Sequence, residues 1–166
     1  IPLNTIDKML SPKIEGRILD SLDLKGHESV LEIGTGTGYL TSVLASLSKS
    51  VKSIDINKTL INLAQEKISA LKLTNVFLKA DDALNCNFDN EKFEIVVVGC
   101  ALPKMSDDFK KLLKIGGKLF IIVGSINEMH ATLLERTSED EWLSKSLFET
   151  HLDFMKGSEP SLKFTF

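Results

Sequence analysis

The spacing of apolar positions changes period several times along this chain of 166 residues, and each change marks an element. Ile14, Ile18, Leu19 and Leu22 recur at three-to-four spacing behind Ser11-Pro12, a serine suited to cap a helix followed by proline at its first position. This predicts a helix from Pro12 to about Leu22, a polar turn from Asp23 to Ser29 and a strand at Val30 to Gly34. Leu40, Val43, Leu44 and Leu47 mark one face of a second helix ending near Ser48, and Val51 to Asp55 reads as a second strand. Asn57 is a good N-cap for a helix whose face is Leu60, Ile61, Leu63, Ala64, Ile68 and Leu71. Asn75 to Lys79 is a third strand and Asn85 to Lys92 an exposed loop. Phe93 to Gly99 is so continuously apolar that it reads as a buried parallel strand.

Phe109, Leu112 and Leu113 predict a further helix, Gly116-Gly117 a turn and Lys118 to Gly124 a fifth strand. Ile126 to Thr137 and Trp142 to Met155 then read as two strands joined by Ser138-Glu139-Asp140-Glu141. In the second of them Phe148, Thr150, Leu152 and Phe154 alternate with Glu149, His151 and Asp153, the period of a half-buried antiparallel strand. The tail from Lys156, with alternating Leu162, Phe164 and Phe166, either packs on the domain or stays partly ordered. Neither internal repeats nor low-complexity segments interrupt the pattern.

The first strand closes on Gly34-Thr35-Gly36-Thr37-Gly38, glycines at alternate positions immediately before a helix. Without Cβ, they allow turn dihedrals and let a ligand approach the main chain, as a nucleotide does. The dinucleotide fingerprint is Gly-x-Gly-x-x-Gly, and here the third glycine comes one residue early. Glu32, beside the loop, repels a pyrophosphate but suits the ammonium and sulfonium of S-adenosylmethionine (SAM), at whose methionine end it is expected. Asp55 ends the second strand about twenty residues on, where an acid accepts both ribose hydroxyls, with Ile56 next to it. An Asp in the cap region of the following helix would look the same. Asp81 and Asp82 form an acidic pair at the end of the third strand, on the edge where open α/β sheets bind ligands. A solvated turn is the alternative.

The run Leu31-Glu32-Ile33-Gly34-Thr35-Gly36-Thr37-Gly38-Tyr39 resembles the first motif of class I SAM-dependent methyltransferases, and in particular of protein-L-isoaspartate O-methyltransferases. The resemblance extends from Ile1-Pro2-Leu3 to Leu133-Leu134-Glu135-Arg136-Thr137. It implies a Rossmann-like α/β/α sandwich of three layers, with a mostly parallel sheet ending in an antiparallel hairpin. It also implies a single SAM-binding domain over 1–166: an N-terminal segment and helix at 1–29, a core at 30–124, and the hairpin and tail at 125–166. The cofactor set is then Glu32, Gly34, Thr35, Gly36, Gly38, Asp55, Ile56, Asp81 and Asp82, with Asp81 at the position of the family's adenine-binding Asp. Ala80 and Asp82 replace the glycines of the family's Gly-Asp-Gly.

Counted back without a gap, Pro12 falls on the proline of the family's Thr-Ile-Ser-x-Pro segment. This puts Lys8, Met9 and Leu10 where the family has Thr, Ile and Ser, and Asn4 where a glycine is usual. The family serine is thought to hold the substrate carboxylate. Leu10 cannot donate a hydrogen bond, so Ser11, one residue away, is the candidate catalytic hydroxyl, its alternative role being the N-cap. The implied activity is methyl transfer to a peptide carboxylate in protein repair. The alternatives are a different small-molecule or protein acceptor, or a degenerate SAM-binding or interaction domain. A carboxylate with its ordinary pKa of about 4 is ionised at neutral pH, so alignment matters more than a general base. His27, His130 and His151 are therefore read as surface or sheet-face residues.

Composition narrows the partners. The length and 43% apolar content suit one core, and net charge -3 with no basic cluster gives no footprint for nucleic acid. The Asp/Asn-Pro-Pro-Tyr/Phe motif of base-amino methylases is absent at Gly99-Cys100-Ala101-Leu102-Pro103. Cys86 and Cys100 follow neither metal nor redox spacing, and no metal site is expected. No apolar run is long enough to cross a bilayer and no leader is recognisable, so a soluble cytoplasmic protein without membrane partners is expected. The start at Ile1 rather than Met suggests that a native N-terminal segment is missing.

Overall fold

The computed structural model describes residues 10–160. Asn4, Lys8, Met9, Leu162, Phe164 and Phe166, named above, lie outside them. Among the described residues four helices, α1 (Pro12–Leu22), α2 (Tyr39–Leu47), α3 (Lys58–Ala70) and α4 (Asp107–Lys111), flank one seven-stranded sheet. The strands are β1 (Ser29–Ile33), β2 (Ser50–Asp55), β3 (Val76–Ala80), β4 (Phe93–Leu102), β5 (Leu113–Ser125), β6 (Glu128–Arg136) and β7 (Trp142–Glu149). Their order is β3-β2-β1-β4-β5-β6-β7, with β1 to β5 parallel and the last two antiparallel. The expected doubly covered parallel sheet with a terminal hairpin is therefore present.

Period-two alternation divides the core. Val30, Ile95, Val97, Phe120 and Ile122 face Ile18 and Leu22 of α1 and Leu40 and Leu44 of α2. Leu31, Ile33, Val96, Val98, Leu119 and Ile121 face the opposite side, with Phe109 of α4 and Met155. Chain order reverses between β1 and β4, so the crevice beyond their carboxyl ends is a topological switch point.

Two expectations need correction. Leu113 is the first residue of β5 rather than part of a helix, and Gly116-Gly117 lie within that strand. The glycines absorb a bulge, since Phe93 pairs with Leu113 but Ile95 pairs with Lys118. A Cβ on Gly117 would stand 2.9 Å from the carbonyl oxygens of Glu94 and Lys114. Secondly, β7 stops at Glu149 instead of continuing to Met155. Leu152 and Phe154 keep a strand-like period because they pack on the core from a different segment, which returns to the end of β4.

At the amino edge of the sheet, Glu94 on β4 accepts bonds from the Ser29 N–H (2.7 Å) and hydroxyl and pairs with Lys114 of β5. Burial alone would raise its pKa, but the bonds from Lys114 and Ser29 outweigh it and hold the carboxyl at about 2. Its contribution is thus present above pH 4.5 and lost as pH falls toward 2. Glu94→Ala should lower stability by about 1–2 kcal/mol at pH 7, the partly hydrated pair counting for less than its full linkage value. Urea denaturation at pH 7 and pH 3 checks this, the variant's deficit shrinking at the lower pH.

Candidate cofactor and acceptor site

The end of β1 sets the site. After Ile33 the chain turns through Gly34 (φ 98°), Gly36 (φ 53°) and Gly38 (φ 78°), left-handed conformations open to glycine. Gly34 meets Gly99 of β4, backbone against backbone. A Cβ on Gly99 would lie 3.3 Å from the Ile33 carbonyl oxygen, and one on Gly34 would lie 3.8 Å from the Gly99 Cα. Main chain therefore forms part of the floor of a cavity of about 870 Å³. That volume suits a small-molecule or cofactor site.

Of the sequence-derived site residues, Ser11, Gly34, Gly36, Asp55, Ile56, Asp81 and Asp82 line this cavity. Glu32, Thr35 and Gly38 stand behind its wall. Gly38 caps α2, and a Cβ there would lie 2.9 Å from the Ala64 Cβ, so its lack of a side chain lets the turn pack on α3. Gly38→Ala should cost about 1–3 kcal/mol through overpacking and a left-handed backbone, seen as a lowered urea midpoint.

Glu32 is fully buried because its place in β1 turns it to the same face as Val30, beneath α2. Ser53 lies directly opposite it on β2 and donates to its Oε2 at 2.6 Å, while the Thr41 hydroxyl of α2 donates to the same oxygen at 2.5 Å. Ser53's single hydroxyl proton is committed to Glu32, so Thr35 in the glycine turn donates to Ser53 (2.6 Å). One carboxylate thus joins β1, β2, α2 and the turn. Its Oε1 has no hydrogen-bond partner among the described residues. Burial pushes the carboxyl up to about 7; the charges of Asp55 and Glu15 add to the rise and the Ser53 and Thr41 bonds oppose it.

The sign follows from proton binding. Between pH 4.5 and about 7 folded Glu32 holds its proton more tightly than the unfolded chain does, so its term favours folding at the acid end and is lost as pH rises. The span is on the order of 3 kcal/mol. Glu32→Gln keeps an acceptor for Thr41 and Ser53 but cannot ionise. Relative to the parent, it should gain stability from pH 5 to pH 7.5, measured by urea denaturation at each pH.

Asp55 is held by the backbone: Gly36 N–H donates to Oδ2 (2.9 Å) and Asn57 N–H to Oδ1 (2.8 Å). Each oxygen retains acceptor capacity, a pair suited to a vicinal diol. Across the rim, Asp81 pairs with Lys79 at 2.6 Å, and that bond holds its carboxyl below the usual range. Asp82 closes its own turn through Leu84 N–H (3.0 Å) and Asn85 Nδ2 (2.7 Å). Ile56, Leu60 and Ala83 supply apolar wall between these acids. These groups fit SAM: two fixed oxygens for a ribose, a slot for a base, and a main-chain floor open to close approach.

The opposite flank is less legible from sequence. Leu10 lines the cavity, its Cδ1 3.9 Å from where a Gly99 Cβ would stand, and Ser11's hydroxyl accepts from Ile14 N–H at 3.4 Å as the cap of α1. Cys100, given no chemistry from sequence, is on the wall. Burial and the Asp55 charge push its thiol up to about 12, leaving it protonated and a poor nucleophile at neutral pH. His151 is exposed, as expected for a surface residue, and lies on the cavity lining with Leu152, Phe154 and Lys156. His130 instead pairs with Glu128 on β6 (3.1 Å), and His27 is exposed next to Glu28. No helix among the described residues is long and apolar enough to cross a membrane.

Comparisons with known proteins identify the family and the fold. The family described as protein-L-isoaspartate(D-aspartate) O-methyltransferase (PCMT) matches residues 3–153. A protein-L-isoaspartate O-methyltransferase of Syntrophus aciditrophicus is 34% identical over 140 residues, 84% of this chain and 64% of the relative. One of Petrotoga mobilis is 35% identical over 126 residues, 75% of this chain and 59% of the relative. The chain thus spans about three fifths of the length of these relatives. In fold it is similar to a Plasmodium falciparum protein named as a protein-L-isoaspartate O-methyltransferase and solved with S-adenosyl-L-homocysteine. The TM-score is 0.83 at 20% identity, covering 94% of this chain and 79% of that one. By the extent of the family match and the identity to these relatives, the chain belongs to the protein-L-isoaspartate(D-aspartate) O-methyltransferase family.

Proposed function

We propose that the protein binds SAM at the carboxyl ends of β1, β2 and β4 and methylates a peptide or protein carboxylate of the isoaspartyl type, serving protein repair in the cytoplasm. The observation that carries this reading is the glycine floor, Gly34 against Gly99, below a rim holding Asp55 and Asp81. Asp55 accepts from the ribose hydroxyls, Ile56 and Leu60 cover the base, and Asp81 accepts from its amino group. Gly34 and Gly36 leave room for the methionine part. Glu32, Thr35 and Gly38 act from behind the wall, Glu32 by fixing the turn through Ser53 and Thr41 rather than by touching the ligand.

When bound, SAM supplies an electrophilic methyl carbon on a sulfonium. The chain's own task is to hold an already ionised oxygen in line with that carbon and keep water away, an alignment worth roughly 7–11 kcal/mol when complete. Ser11 accepts from Ile14 N–H through its hydroxyl oxygen (3.4 Å) and keeps its own O–H proton to donate to the acceptor. A second reading, methylation of a different small molecule or protein site, is favoured by Leu10, an apolar side chain on the wall where the resemblance puts a hydroxyl.

Calorimetric titration with S-adenosylhomocysteine and radiolabelled transfer to an isoaspartyl peptide test the proposal. Micromolar binding is expected, weakened about 10- to 100-fold by Asp55→Ala as two charge-assisted bonds are lost. Leu10→Ser should raise transfer. Binding without any transfer, before or after that substitution, would favour the second reading, and absence of binding would end both.

A further inference from the structure

We propose that Glu32 and Glu15, two buried carboxyls behind the cavity wall, set the preference of the site for SAM over S-adenosylhomocysteine. They hold a proton in the ligand-free protein and release it to solvent when a sulfonium charge enters the cavity. This rests on the SAM-binding reading above and adds a proton to its balance.

Each acid stands one residue behind the lining. Glu32 precedes Ile33 and Gly34 at the end of β1, and Glu15 follows Ile14 on α1, one turn after Ser11; all four of those neighbours line the cavity. Glu32 itself is 0% exposed and Glu15 5%. Oε2 of Glu32 accepts from both Ser53 and Thr41, which occupies its lone pairs and leaves Oε1 without a hydrogen-bond partner. The proton of the neutral acid therefore belongs to Oε1, because an unpartnered O–H costs less to bury than an unpaired charge.

Nothing packed around the pair supplies a cation. Above Glu32, α2 carries no charged side chain, Tyr39 being its one titratable residue. β4 sets Val97 opposite Glu32, and β2 sets Ser53 opposite it with Asp55 two residues further on. The other charged residues of α1, Lys13, Arg17 and Asp20, are exposed. Among the described residues neither Glu32 nor Glu15 forms a salt bridge. The charges that reach Glu32 are those of Asp55 and Glu15, both negative; together with burial they push its carboxyl up to about 7, and burial raises Glu15 as well.

This place lacks a positive charge. SAM and S-adenosylhomocysteine share adenosine, ammonium and carboxylate, and differ by a methyl group and one positive charge on sulfur. In a low-dielectric interior that charge stabilises the ionised acid and not the neutral one, so the O–H bond breaks and the proton passes to the buffer. A thioether does not do this. SAM therefore binds more tightly as pH rises toward 7 and levels off above it, while S-adenosylhomocysteine does not follow. Once the methyl group has left, the acid takes its proton back and the hold on the product weakens.

Calorimetric titration of the parent with each ligand between pH 5.5 and pH 8, in buffers of different ionisation enthalpy, reads both affinity and protons released. The ratio of dissociation constants should move toward SAM by about 5-fold or more from pH 6 to pH 8. Near pH 6.5 SAM should release on the order of half a proton more than S-adenosylhomocysteine. Glu32→Gln keeps an acceptor for Ser53 and Thr41, and should make the ratio independent of pH and abolish the extra proton. Glu15→Gln removes a like charge and should move the rise to lower pH. A purely structural role for Glu32 would weaken both ligands together and leave the pH profile of their ratio in place. A flat ratio in the parent, or a rise that survives in Glu32→Gln, as titration of His151 on the lining would produce, overturns the assignment while SAM binding stands. A parent that binds neither ligand overturns both readings.

Discussion

One buried carboxylate organises the cofactor end of this molecule. Glu32 receives Ser53 from the neighbouring strand and Thr41 from the helix above, and Ser53 in turn receives Thr35 from the turn. Burying an ionised acid with one oxygen unpartnered is costly, and the high pKa is the expression of that cost. The return is conformational: the first turn after β1, the strand beside it and the helix that follows share one hydrogen-bonded node. Loosening any of them leaves a further buried polar group unsatisfied, so the loop is held as a unit.

Around that node, glycine does two different jobs. Gly34 and Gly99 clear a floor where main chain faces the cavity, and Gly38 clears a contact between the turn and Ala64 of α3. From the sequence the motif's three glycines look alike. Only packing separates the residues that face the cavity from those that position them, and the same holds for Glu32 and Thr35. The acid is legible as important, but its inward direction depends on period-two registration with Val30 and on what α2 and β2 place over it.

Elsewhere the sequence is legible wherever a segment's burial comes from its own neighbours in the sheet. Helices α1 and α3 announce themselves by caps and period, and β4 by its unbroken apolar run. The pattern misleads where non-local pairing decides. Gly116-Gly117 look like a turn, yet the partner strand accommodates them as a bulge. Residues 150–155 carry a strand's alternation, yet after one last bond to β6, from Thr150 N–H to the Met129 carbonyl, the chain leaves that strand and pairs at Ala101. Alternation reports two-sided burial without naming the partner that provides it.

The segment after β7 is also what gives the cavity its second side. A seven-strand sheet of this order leaves the ends of β4, β5 and β6 open beyond the switch point, and the returning chain covers them with Leu152, Phe154 and Met155. Because its backbone is bonded on both sides of Phe154, the residues flanking the anchor cannot drift far from the wall. The lining acids that follow β2 and β3 and the returning segment held by β4 and β6 therefore stand on opposite halves of the sheet. Gly34 and Gly99 lie between them, main chain against main chain.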